Sequence, residues 1–153
     1  MSAAIPLSPF ERITTPCIGV CSTALGDSVC RGCKRFNHEV IHWNSFSEDQ
    51  KRLIDARLQE FLQRVSKEYI SVTDESQLAD KIHQLKIRVG KHRGPYSQAF
   101  ELLRAGGEQV RPFVDFGLRA QPGYENWTVI EIREAIDRDF WQLSSAHFER
   151  YFP

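Results

Sequence analysis

The chain has 153 residues, 41% hydrophobic and 26% charged, with 20 basic side chains against 20 acidic ones. That is enough apolar material for one core, or for one core plus a small metal-stapled module. A net charge of zero and a pI near 7.0 argue against a general nucleic-acid binder, and no internal repeat or low-complexity tract is present.

Residues 1–15 carry two prolines and little periodicity, which predicts an N-terminal arm. The arm lacks a basic start followed by an apolar run, so no signal peptide is expected. No stretch approaches the roughly 18 apolar residues of a membrane span. A cytoplasmic protein without a membrane anchor is the expectation. Pro16 then opens a short window that holds every cysteine of the chain, Cys17-x3-Cys21-x8-Cys30-x2-Cys33.

After the cysteines, Asn37 is placed to cap a short helix through His42 or Trp43. Ser47-Glu48-Asp49-Gln50 is a capping box, and Leu53, Ile54, Leu58, Phe61, Leu62 and Val65 follow at helical spacing, which predicts a helix over 48–66. Asp74 or Thr73 caps a third helix through Leu78, Ile82, Leu85 and Val89, with Gly90 as its stop; Leu85 to Val89 also alternates like a strand. Pro95 opens a fourth helix, ended by Gly106 and Gly107. Pro112, Pro122 and Gly123 break up the stretch after it. Thr128-x-x-Glu131 is a further capping box, leading into Ile132, Ala135, Ile136, Phe140 and Leu143, although Thr128 to Ile132 alone reads as a strand. At the C-terminus Phe140, Trp141, Phe148, Tyr151 and Phe152 read as core or as an interface anchor, helical spacing favouring core. The sum is a mostly α protein in three parts: the arm over 1–15, a four-cysteine metal knuckle with helices over 16–66, and a helical, bundle-like region over 67–153.

Two closely spaced pairs of thiolates converge naturally on one tetrahedral ion while backbone N–H groups point at the sulfurs. Gly19, Gly26 and Gly32 supply permissive backbone, with Gly32 at the tight return between Cys30 and Cys33; Arg31, Lys34 and Arg35 offset the negative charge of four thiolates. The competing readings are two disulfides, which a reducing cytosol disfavours, and four inert thiols. Cys17, Cys21, Cys30 and Cys33 are therefore the expected metal ligands. The ion is zinc or an iron-sulfur cluster: two cysteine pairs separated by a loop fit zinc, while the regular short steps of common cluster motifs are missing.

Pro16-Cys17-Ile18-x-Val20-Cys21, Cys30-x-Gly32-Cys33-x-Arg35 and Glu39-Val40-x-x-Trp43, followed by Ser47 and a charged helix start, together resemble the short bacterial module known as domain of unknown function 1289. Its proteins are often described as predicted iron-sulfur proteins. The resemblance covers Pro16 to Ile54. It implies a small metal-binding module on the four cysteines, with Trp43 packing beside it, and it brings no known activity.

His38-Glu39-Val40-Ile41-His42 also spells His-Glu-x-x-His, the zinc-peptidase arrangement of two imidazoles and a general base. The helical stretch around it is short, and Ser45 and Glu48 stand where the extended motif needs Gly and His. The basic run Lys86, Arg88, Lys91 and Arg93 offers an RNA-backbone contact, or simply a solvated helix end favoured by the helix dipole. With the thiols consumed as ligands and no convincing pair of nucleophile and base, the sequence points away from an enzyme. The expectation is a metal-binding accessory factor with a protein partner, the alternatives being a redox or sensing iron-sulfur protein and an RNA-associated factor.

Overall fold

The computed structural model describes residues 13–19, 21–90 and 93–152. Most of the predicted arm, together with Val20, Lys91 and His92, lies outside the described residues. Among those described, five α-helices and one two-stranded sheet form a mostly α protein.

Local signals account for most helix starts. In α1, Asn37–His42, the predicted cap shifts by one residue: Phe36 stands at the cap, and the Glu39 carboxylate accepts from its N–H at 2.8 Å. Asn37 is instead the first helical residue. Helix α2, Glu48–Ser66, begins at the reciprocal box in which Gln50 N–H donates to Ser47 Oγ and Ser47 N–H to Gln50 Oε1. Helix α3, Glu75–Gln84, is capped by Asp74, which accepts from Gln77 N–H at 3.0 Å. Helix α4, Pro95–Gly106, starts on its proline, and α5, Val129–Tyr151, starts from the Thr128 and Glu131 box, both bonds 3.1 Å.

The end of α3 differs from expectation. It stops at Gln84, well short of Gly90, because Lys86 takes a left-handed φ of 56°. The Ile87 N–H then reaches the Ile82 carbonyl and the Lys86 N–H that of His83, a helix-terminating pair of bonds made without glycine. Leu85 is consequently exposed, and the alternation over Leu85 to Val89 marks irregular chain. The sheet instead pairs β1, Ile70–Val72, antiparallel with β2, Leu118–Ala120, in the register Ile70↔Ala120, Ser71↔Arg119 and Val72↔Leu118. Three-residue strands are too short to leave a periodic signal.

Two compact units divide the chain. Leu62–Asp137 form one. Its core gathers Ile70, Leu78, Leu102, Leu103, Val110, Leu118, Val129, Ile132 and Ile136. Gly117, at a φ of 71°, brings its backbone against Asp74, and its carbonyl accepts from the Thr73 and Asp74 N–H groups. The described residues of 13–61 form the other unit together with 138–152. Its buried side chains include Val29, Phe36, Trp43, Ile54, Leu58, Phe61 and Phe140. The Trp141 indole N–H donates to the Val29 carbonyl at 3.0 Å, and Phe148 and Phe152 pack against Phe36. The expected aromatic core of the C-terminal helix is thus partial, since Tyr151 and Phe152 remain exposed.

Candidate metal centre

Cys30 and Cys33 sit on a tight hairpin. Val29 and Phe36 form an antiparallel bridge at its base, the Cys30 N–H donates to the Arg35 carbonyl at 2.9 Å, and the Lys34 N–H returns to the Cys30 carbonyl at 2.8 Å. The left-handed residue that closes the return is Lys34, with a φ of 67°, rather than Gly32. A side chain in that conformation costs about 1–2 kcal/mol. Lys34 offsets the strain with its own ammonium, which donates to the Arg31 and Gly32 carbonyls at 2.6 and 3.0 Å. Lys34 as a whole is only 2% exposed, and its ammonium lies 5.3 Å from the centre of the Phe140 ring.

Both sulfurs of this hairpin are buried. Burial works against ionising Cys30, but N–H groups of Cys33, Ser22 and Gly32 and the Cys33 side chain outweigh it and bring the thiol down to about 7. Burial pushes the Cys33 thiol up, opposed chiefly by Arg35. The Arg35 Nε–H donates to Cys33 Sγ at 3.2 Å, and the guanidinium lies 4.9 Å from the centre of the Trp43 ring. Trp43 therefore packs beside the hairpin through Arg35.

The other two sulfurs differ. Cys17 and Cys21 are exposed; Cys17 Sγ accepts from the Gly19 N–H at 3.4 Å, and Cys21 Sγ lies 3.0 Å from Thr23 Oγ1. Gly19 and Gly26 are left-handed, as their turns require. Ser22 links this half to the hairpin, its buried Oγ accepting from the Arg31 N–H at 2.8 Å. Among the described residues, no group of three or more His, Cys, Asp or Glu side chains stands close enough together to hold a metal ion. Cys30 and Cys33 are brought together, and neither Cys17 nor Cys21 joins them. In donor chemistry the residues fit a thiophilic ion: four thiols in one segment, sulfurs that accept from N–H groups, and a buried cation on one of them.

The His-Glu-x-x-His stretch has a different occupation. Glu39 is buried, and besides capping α1 it receives both forks of Arg57, from Nη1 at 2.7 Å and Nη2 at 2.6 Å. The Arg57 guanidinium also lies 4.0 Å from the centre of the Phe36 ring. His38 packs among Phe36, Phe148 and Phe152, while His42 is exposed. A carboxylate with both oxygens engaged is a structural anchor, not a poised base. Of the basic run, Lys86 and Arg88 are exposed on the irregular chain after α3 rather than on a helix face, Arg93 is half-buried, and Lys91 lies outside the described residues.

Residues 15–62 match the family described as Protein of unknown function (DUF1289). The DUF1289 segment takes in all four cysteines, α1 and α2 as far as residue 62, beyond the Ile54 limit of the sequence resemblance, so Arg57 falls inside it. No curated protein and no solved structure matches the chain. Among the described residues, no helix is long and apolar enough to cross a membrane. Arg57 and the inward turn of Lys34 were missed in the sequence. The Glu39 and Arg57 pairing spans 18 residues with no periodic signal, and a lysine in a left-handed turn has no composition cue.

Proposed function

We propose that the DUF1289 segment holds one metal centre on Cys17, Cys21, Cys30 and Cys33, and that the protein serves as a metal-binding accessory factor for a protein partner. The observation that carries this reading is the Cys30 to Cys33 hairpin, which brings two sulfurs of the four-cysteine segment together, backbone N–H groups directed at Cys30 and the Arg35 Nε–H at Cys33. Zinc would supply a closed structural site there, and an iron-sulfur cluster would supply electron transfer or sensing. Two paired cysteines favour zinc. In either case the cysteine turns from Cys17 to Cys33, which carry few apolar residues, would draw folding energy from metal binding. Anaerobic purification and an absorption spectrum separate the two: a colourless protein containing zinc supports the first, and a visible charge-transfer band with iron and labile sulfide supports the second. A colourless protein with neither metal refutes the proposal.

A further inference from the structure

We propose that Arg35 is the positioning residue of this metal centre, orienting the Cys33 sulfur through a directed N–H···S bond while Trp43 fixes its guanidinium. The inference rests on the four-cysteine reading above. Three basic residues follow or separate the last two cysteines, and the structure gives them three different tasks. Arg31 is largely exposed, pairs with Asp27 at 3.4 Å and lies over the Trp141 ring at 4.0 Å. Lys34 turns its ammonium onto two carbonyls of the hairpin. Arg35 donates to sulfur, its Nε–H reaching Cys33 Sγ at 3.2 Å.

Arg35 is also only 4% exposed, so its charge has lost most of its water. A desolvated guanidinium needs an anion or a π face beside it. Here the face is Trp43 and the acceptor is Cys33 Sγ, and the planar, delocalised head suits both at once. A neutral thiol is a weak acceptor for such a group. A metal-bound thiolate is a strong one, and the bond lowers the energy of the sulfur lone pairs that face the ion. The geometry therefore assigns Arg35 to set how firmly the Cys33 corner holds metal, a task bulk positive charge cannot perform.

Cobalt(II) serves as the probe in the full-length chain, with the thiolate-to-cobalt charge-transfer band and the rate of cobalt release to a chelator as readouts. In Arg35→Ala the band should move to lower energy and release should accelerate, by roughly tenfold to a hundredfold if affinity changes as for other residues behind a ligand. Arg35→Lys keeps the charge and most of the volume but has no fixed Nε–H, so its band should stay shifted; it also carries the test if the alanine variant fails to fold by circular dichroism. Arg31→Ala should leave both readouts at wild-type values. A wild-type band and release rate in Arg35→Ala or Arg35→Lys, or an equal shift in Arg31→Ala, overturns the role of Arg35. Failure of the wild-type chain to take up cobalt refutes the four-cysteine reading itself, a distinct outcome.

Discussion

Replacing Arg57 by Met should be among the most damaging single changes in the cysteine-bearing unit. The side chains of Glu39 and Arg57 are 6% and 16% exposed, and their two bonds of 2.6 and 2.7 Å form a bidentate, charge-assisted pair. Methionine retains much of the arginine stem, so packing on Phe36 is largely kept and the loss is mainly electrostatic. Glu39 is then left as a buried carboxylate with a single backbone donor, Phe36 N–H. Removing one partner of a buried pair costs about 3–5 kcal/mol. Glu39→Gln preserves the acceptor for that N–H and removes the charge, so the double variant Glu39→Gln/Arg57→Met should recover much of the loss, with a coupling of about 1–3 kcal/mol. Urea unfolding followed by circular dichroism and by tryptophan fluorescence measures all three variants. A cost below about 1 kcal/mol for Arg57→Met, or strictly additive single effects, would refute the assignment of Glu39 as an ion-paired anchor.

Gly117→Ala should lower the thermal midpoint markedly, because a Cβ there would collide with the Asp74 carbonyl oxygen and stand 3.2 Å from Leu78 N, and the left-handed φ alone costs about 1–2 kcal/mol; an unchanged melt would contradict this. His147 packs against Phe36, Phe61 and Tyr151, and burial, followed by the charges of Arg57 and Arg150, holds its imidazole below the ordinary 6.5, with Glu39 and Glu60 opposing. A lowered folded pKa means that the unfolded chain binds the proton more readily, so this contribution is complete above 6.5 and is lost as pH falls from there toward the folded value. The fall in unfolding midpoint over that window should shrink in His147→Phe, and an identical pH profile would count against it. If the basic segment contacts RNA, Lys86→Glu/Arg88→Glu/Arg93→Glu should abolish a salt-dependent binding seen in fluorescence titration without altering metal content; binding indifferent to the reversal would leave a protein partner as the better assignment.

Where a helix begins was written in short-range chemistry. Ser47 with Gln50, Asp74, Pro95 and Thr128 with Glu131 each announce a start through bonds made within three residues, and the structure uses all four. Where the chain must close on itself the signals fade. Lys34 and Lys86 adopt left-handed turns without glycine, at places where composition pointed to Gly32 and Gly90 instead. The sheet was illegible because its strands are three residues each and pair across Ile70 and Ala120. In the site, the spacing of Cys30 and Cys33 was enough to foresee a tight return of the chain, though not that Lys34 rather than Gly32 would close it. It could not show that Arg35 turns to sulfur while Lys34 turns to carbonyls, since that choice depends on the positions of Trp43 and Phe140.

The most direct test of the metal centre is the stoichiometry of metal to protein, measured by elemental analysis of the anaerobically purified full chain beside Cys17→Ser, Cys21→Ser, Cys30→Ser and Cys33→Ser. The account predicts one centre per chain in the parent protein, as a single zinc or as the iron of one cluster, and a clear loss in every variant together with weaker folding around the hairpin. Metal content unchanged in Cys30→Ser would contradict it.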